Sequence, residues 1–208
     1  MEFEAFIVTC PQREQVRAQT LGSIAASDWK GGVRVVIDDA DASMPVLLRI
    51  GETWLRAVEL AAESKADCLL LMEDDVEVGR HIHHNLATWK PIVVMRARGG
   101  PKYQLYGSLY DPGILPFRSK QRDHYFYAFP QLVWGAQAVV MSPEMARLLV
   151  ARWRTRDEEP DRKMPRIAAA VSPIFYHLPS LVQHIGTSST WGGVLHTARA
   201  YDPEWRRS

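Results

Sequence analysis

Apolar residues in this chain fall into short runs that stop at polar or acidic groups. Phe6-Ile7-Val8-Thr9 gives way to Cys10-Pro11-Gln12-Arg13, Val33-Arg34-Val35-Val36-Ile37 to Asp38-Asp39, and Leu69-Leu70-Leu71-Met72 to Glu73-Asp74-Asp75. Unbroken runs of this length predict buried strands at 6–9, 33–37 and 69–72. Between them the period lengthens. Val16, Thr20, Leu21 and Ile24 share one face of a helix predicted over 14–26, although Gly22 costs it about 1 kcal/mol of propensity. Trp54, Val58 and Ala61 do the same over 52–64, and Lys30-Gly31-Gly32 reads as a turn. Strand, helix, strand, helix, strand is the rhythm of a parallel sheet with right-handed crossovers, with all three polar strand ends on one edge.

The second half is less regular. Residues 81–89 predict a short helix and Ile92-Val93-Val94-Met95 a further strand. Periodicity fails over 96–130, where glycines and prolines (Pro116 among them) punctuate a run holding Tyr103, Tyr106, Tyr110, Tyr125 and Tyr127. That stretch is either a functional loop or lid or a strand meander, with 104–109 as one strand. Its tyrosines either stack on a ligand or pack the core. Residues 132–141 predict a strong strand broken by Gly135. Ser142-Pro143-Glu144 then starts a helix as cap, first-turn proline and first-turn acid, with Met145, Leu148, Leu149 and Trp153 as its buried face. A charged link precedes a helix that Asp161 could cap, running through Ala170. Residues 177–186 read as extended, and the tail beyond Gly193 has little pattern.

Composition narrows the class. The 208 residues suffice for one α/β domain; 47% are hydrophobic and 24% charged, as in an ordinary globular protein. A net charge of +1 supplies no strong field for nucleic acid or anionic membrane, although Arg152, Arg154 and Arg156 cluster, as do Arg206 and Arg207. Cys10 and Cys68 fall in or beside strands and read as reduced core thiols. Met1-Glu2-Phe3-Glu4 is acidic and leads straight into a strand, unlike a signal peptide. No apolar run approaches the roughly 20 residues of a membrane span. The expectation is a protein of a reducing compartment, the cytoplasm.

The acids carry the candidate chemistry. Glu73, Asp74 and Asp75 repel one another at the end of a buried strand, on the edge where open α/β sheets bind ligands. Either they are solvated turn and cap residues, or something positive arrives. A divalent cation bearing a diphosphate would suit: hard oxygen ligands favour Mg²⁺ or Mn²⁺, which complete their shells from phosphate and water. Thr9, Arg13, Asp38 and Asp39 end the first two strands, as turn residues or as ligand contacts. Arg49 is better placed for the surface than for a phosphate. His81, His83 and His84 lack a ligand spacing and read as surface or cap residues.

Taken together, this ordering resembles the GT-A class of nucleotide-sugar glycosyltransferases. Glu73-Asp74-Asp75 sits where that class carries its Asp-x-Asp motif, here opening with Glu. Trp134-Gly135-Ala136, with the strand and Ser-Pro-Glu start after it, looks like the donor and acceptor segment. The run Pro179-Ser180-Leu181-Val182-Gln183-His184-Ile185-Gly186-Thr187-Ser188-Ser189 is similar to the C-terminal motif of the N-acetylglucosaminyltransferase IV family, and Glu159-Pro160-Asp161 to the segment placing its base. The resemblance implies a single GT-A-like (Rossmann-like) α/β domain over 1–193 with a mostly parallel central sheet flanked by helices, and a tail over 194–208. It implies transfer from a UDP-sugar, hexosyl or N-acetylhexosaminyl, to an acceptor hydroxyl, with inversion. Asp75 and His184 would hold the metal, and imidazole favours Mn²⁺ over Mg²⁺. Glu73 or Asp74 would meet ribose or metal-bound water. Thr9, Arg13, Asp38 and Asp39 would hold uracil and ribose, and Trp134 and Gly135 the donor and acceptor.

Asp161, with Glu159 behind it, would be the base; Asp161 as a plain helix cap fits its position equally. The acceptor stays open among a saccharide, a lipid-linked sugar, a small molecule and a modified DNA base. Two other readings stand beside this one. Nucleotidyl transfer to a sugar phosphate usually needs a Gly-rich loop that Thr9-Cys10-Pro11-Gln12-Arg13 lacks. A binding module without catalysis would bind nucleotide and turn nothing over.

Overall fold

A computed structural model describes residues 1–40, 43–114, 117–187 and 196–208, with 117–122 described as backbone. Pro116, Ser188, Ser189 and the boundary at Gly193 lie outside the described residues. In chain order the elements are β1 (Phe3–Thr9), α1 (Glu14–Ala26), β2 (Gly32–Ile37), α2 (Val46–Glu63), β3 (Cys68–Glu73), β4 (Val76–Val78), α3 (Ile82–Thr88) and α4 (Lys90–Gly99). There follow β5 (Tyr106–Ser108), β6 (Phe117–Arg122), β7 (Tyr125–Ala128), β8 (Ala138–Met141), α5 (Pro143–Arg152), α6 (Pro160–Ala168), β9 (Ile174–His177) and β10 (Val182–His184).

Among the described residues, eight strands form one sheet in the order β2-β1-β3-β8-β5-β9-β7-β6. The pairings make β2, β1, β3, β5, β9 and β6 run one way and β8 and β7 the other. The sheet is therefore mixed but mostly of one direction, with helices on both faces. Strand alternation divides the core between those faces. Phe6, Val8, Leu69 and Leu71 pack with Trp54 and Val58 of α2. Ala5, Ile7, Leu70 and Met72 pack with Ile24 of α1, Ile82 of α3 and Ile92 of α4. At β2 the expectation of two buried faces fails. It is an edge strand bonded only to β1, so Val33, Val35 and Ile37 stay exposed while Val36 is buried.

Other departures have local causes. Ile92-Val93-Val94-Met95 lies inside α4; a four-residue apolar run cannot be told from a helix segment by period alone, and Pro91 at the helix start decides it. Helix α2 begins six residues before 52, because Val46, Leu47 and Leu48 are exposed and show no apolar face. The strand expected over 132–141 is confined to β8: Gly135 takes φ +85°, which breaks an extended chain. The irregular stretch carries β5, β6 and β7, of which β6 and β7 pair with each other while β9 separates β5 from β7, and Tyr103, Tyr106, Tyr110 and Tyr125 are core residues. The patternless end packs on the body. Ser180 bridges to Tyr201, and Arg207 N donates to Asn85 Oδ1 at 2.9 Å. Arg154 pairs with Glu52 and Arg156 with Glu158, so the expected arginine cluster is largely neutralised. No helix among the described residues is long and apolar enough to cross a membrane.

One side chain fixes the turn after β3. Thr20, fully buried on α1, donates to the Asp74 carbonyl at 2.7 Å and accepts from Val76 N at 3.1 Å. Thr20→Val keeps the shape and strands two buried backbone groups. It should lower unfolding stability by about 2 kcal/mol in denaturant titration, whereas a conventional surface threonine would cost under 0.5 kcal/mol.

Candidate active site

The polar ends of β1, β2 and β3 open on one cavity of about 580 Å³, within the usual range of small-molecule sites. Of the residues singled out from the sequence, Thr9, Arg13, Asp38, Glu73, Asp74, Asp75, Trp134, Gly135, Glu159, Asp161 and His184 all line it. Asp39 does not. Successive residues leaving a strand point to opposite sides: Asp38 turns inward and accepts from Arg49 at 2.6 Å, while Asp39 faces solvent beside Arg56.

Glu73 ends β3, and Asp74 and Asp75 form the turn to β4. Glu73 N donates to the Gln137 carbonyl at 3.1 Å, and Gln137 Nε2 donates to Glu73 Oε2 at 3.2 Å. Asp74 accepts from Thr9 Oγ1 and from Arg13 Nε, the latter at 2.7 Å. Arg13 also donates to Asp75 Oδ2. The far end of the chain completes the group. Antiparallel pairing of β10 with β4 sets His184 opposite Val76, and Ile185 N donates to the Asp75 carbonyl at 2.8 Å. His184 Nε2 thereby lies 3.1 Å from Asp75 Oδ2, across 109 residues of sequence.

His184 Nδ1 lies 3.1 Å from the His196 carbonyl. A carbonyl only accepts, so Nδ1 carries the proton and Nε2 is aimed at the carboxylate. The His196 ring stacks on His184 at 5.2 Å and meets the Trp134 edge at 4.9 Å. Tyr110 Oη holds both His196 Nδ1 (2.7 Å) and its carbonyl (3.0 Å). His196 and Tyr110 had no signal in the sequence, one lying in the patternless tail and the other among tyrosines that mostly serve the core.

Several features suit a cation between Asp75 and His184. Asp75 Oδ1 is buried without a hydrogen-bond partner, an arrangement that is costly unless a ligand is due. Gly186 leaves a small hollow: a Cβ there would lie 2.5 Å from Asp75 Oδ2 and 2.8 Å from His184 Nε2. A carboxylate with an imidazole is a donor set for Mn²⁺ or Mg²⁺, which fill remaining positions with phosphate and water. Among the described residues no group of three or more His, Cys, Asp or Glu side chains could hold a metal by itself.

Burial and mutual repulsion govern the charges. Burial, then Asp75, pushes Glu73 up to about 8. Burial raises Asp74, partly offset by Thr9 and Arg13. Burial also opposes the charge on Asp75, but His184 and Arg13 outweigh it and hold its carboxyl below the ordinary range. The hydrogen bond to Asp75 raises His184, whereas burial and the neighbouring His184 lower His196.

Asp161 approaches from the other wall. It sits in the first turn of α6, whose cap position is Glu159, so the cap assignment moves to Glu159, which makes no side-chain cap bond. Asp161 Oδ2 instead accepts from Gly135 N at 3.0 Å, and Oδ1 is buried without a partner.

Because the raised His184 value comes from Asp75, the pair adds stability that is complete below the ordinary value of 6.5 and is lost as pH rises through the folded value. In an NMR titration the His184 ring should titrate above 6.5, and in Gly186→Ala, whose methyl group forces the pair apart, its midpoint should fall toward 6.5.

No protein-family model matches the sequence, and no curated protein matches it significantly. Solved structures do match in fold. The galactosyltransferase LgtC, crystallised with donor and acceptor sugar analogues, superposes with a TM-score of 0.53 at 10% identity over 90% of this chain and 89% of that one. S. aureus TarS 1–349 in complex with UDP gives 0.54 at 10% identity over 88% of this chain and 59% of that one, so the chain spans little more than half of that protein. A197 from STIV gives 0.51 at 13% identity over 100% and 98%. At these identities the likeness is one of fold, and the chain has the GT-A architecture.

Proposed function

We propose that this protein is a glycosyltransferase that takes a sugar from a nucleoside diphosphate sugar, a UDP-sugar, and places it on an acceptor hydroxyl with inversion. The observation that carries the reading is the meeting of Asp75 and His184 at 3.1 Å, beside an unpartnered carboxylate oxygen, in the cavity that the strand ends share. The fold likeness to a galactosyltransferase crystallised with sugar analogues and to a UDP-bound protein supports the donor class.

Asp75 and His184 would hold Mn²⁺, or less well Mg²⁺, with Gly186 keeping the space clear. When bound, the ion offsets the negative charge that builds on the leaving diphosphate. Thr9, Arg13 and Asp38, which line the cavity, would meet uracil and ribose, and Glu73 or Asp74 would meet ribose or bound water. Trp134 and Gly135 would meet the sugar and acceptor. As the acceptor oxygen bonds to the anomeric carbon, the bond to diphosphate breaks and its electron pair leaves with UDP. Asp161 takes the hydroxyl proton on Oδ1, its other oxygen being engaged by Gly135 N. Glu159 stands behind it at the rim. Kinship with the N-acetylglucosaminyltransferase IV family would account for β10, which delivers His184, and would favour an N-acetylhexosaminyl donor over a hexosyl one. The domain would run over 1–193. The two free thiols favour a reducing setting, the cytoplasm of a bacterium or an infected cell.

Thermal-shift measurements with UDP test the donor and metal assignments. At 100 times Kd, UDP should add about 2.7 kcal/mol, only with Mn²⁺ present and not in Asp75→Ala. Equal stabilisation without metal and in that variant would remove the metal assignment. For the base, Asp161→Asn should bind UDP normally and lose transfer by about 10²-fold or more; undiminished transfer would exclude it.

A further inference from the structure

Resting on the nucleotide-sugar reading above, we propose that Arg13 is a built-in counter-ion: it covers Asp74 and Asp75 until a nucleoside diphosphate draws it away, so that cation and nucleotide enter together. The guanidinium bonds Asp74 Oδ1 through Nε at 2.7 Å and Asp75 Oδ2 through a terminal nitrogen. Asp75 Oδ2 is the oxygen that faces His184 Nε2 and the hollow above Gly186. Arg13 therefore engages the carboxylate that a cation would need.

A guanidinium does not deprotonate under ordinary conditions, so it can release Asp75 only by moving. Its position permits that movement: Arg13 lies between β1 and α1, lines the cavity, and has a side chain that is 18% exposed. A diphosphate offers anionic oxygens that the same guanidinium fork can bond in pairs, as it now bonds one oxygen on each of two carboxylates. Exchange of one for the other moves positive charge from the acids to the incoming phosphates, and exposes Asp75 as the cation arrives. Without nucleotide, a cation must compete with charge-assisted hydrogen bonds, which would weaken metal binding by about tenfold or more. The neighbouring Arg17 makes no ion pair with these acids; its terminal nitrogen lies 3.5 Å from Thr9 Oγ1. It supplies the same charge one helical turn along.

Free Mn²⁺, counted by its electron paramagnetic resonance signal, separates the possibilities in wild type, Arg13→Gln, Arg13→Lys and Arg17→Gln, each with and without UDP and each checked for folding by circular dichroism. Arg13→Gln should bind Mn²⁺ alone about tenfold more tightly than wild type, and UDP with saturating Mn²⁺ about tenfold more weakly. Arg13→Lys keeps charge without the fork and should move both affinities in the same directions, by less, which decides the matter if Arg13→Gln does not fold. Arg17→Gln should leave Mn²⁺ affinity within about twofold. Unchanged or weaker binding of Mn²⁺ alone in the Arg13 variants, or an equal gain in Arg17→Gln, would overturn the counter-ion role. If wild type binds Mn²⁺ with UDP in that case, the function proposed above still stands. Failure of wild type to bind Mn²⁺ even with UDP would overturn both.

Discussion

Three adjacent carboxylates end a strand that is buried on both faces, and the surrounding structure is arranged to make that tolerable. A carboxylate leaving water needs a partner charge and hydrogen bonds or it takes up a proton. Asp74 has Thr9 and Arg13, Asp75 has Arg13 and His184, and Glu73 has the Gln137 amide. These partners come from β1 and the segment after it, from the segment before β8 and from β10, so no local piece of chain could hold the turn alone. Burial, and after it the neighbouring Asp75 charge, still leave Glu73 reluctant to ionise. A cation would relieve it, which is why the unpartnered Asp75 oxygen and the hollow above Gly186 point the same way.

The topology explains why distant segments meet there. β1, β2 and β3 run parallel, so their carboxyl ends share one edge. β8 lies antiparallel between β3 and β5, and the chain entering it must pass the same edge. That passage carries Trp134 to Gln137 along the cavity, where Asp161 of α6 accepts the Gly135 amide. The small β4–β10 ladder then returns the last third of the chain to the acids. His196 and Tyr110 lock the arrival of His184 through a carbonyl and a stacked ring. The result has an acidic, ion-pairing wall and an apolar wall of Leu47, Ile50, Trp54 and Trp134, the usual division of labour in a site that fixes a polar group and packs the rest.

Within the sequence, three apolar runs ending in polar groups already determined a parallel-stranded α/β edge and the placing of the acids upon it, because β1 and β3 are buried strands and a buried strand has few other ways to end. His184, Asp161 and the Trp134-Gly135 pair were legible only through a family resemblance, since a lone imidazole or a first-turn acid has no spacing of its own. Tertiary structure alone decided the rest. It paired Asp38 with Arg49 and left Asp39 to solvent beside Arg56, left β2 exposed at an edge, and turned the patternless end into the wall that bears His196. At β2 and at His196 the deciding contact is with a segment distant in the chain, whereas Pro91, a neighbour in sequence, set Ile92 to Met95 in a helix. Local periodicity carries no record of a partner that arrives a hundred residues later.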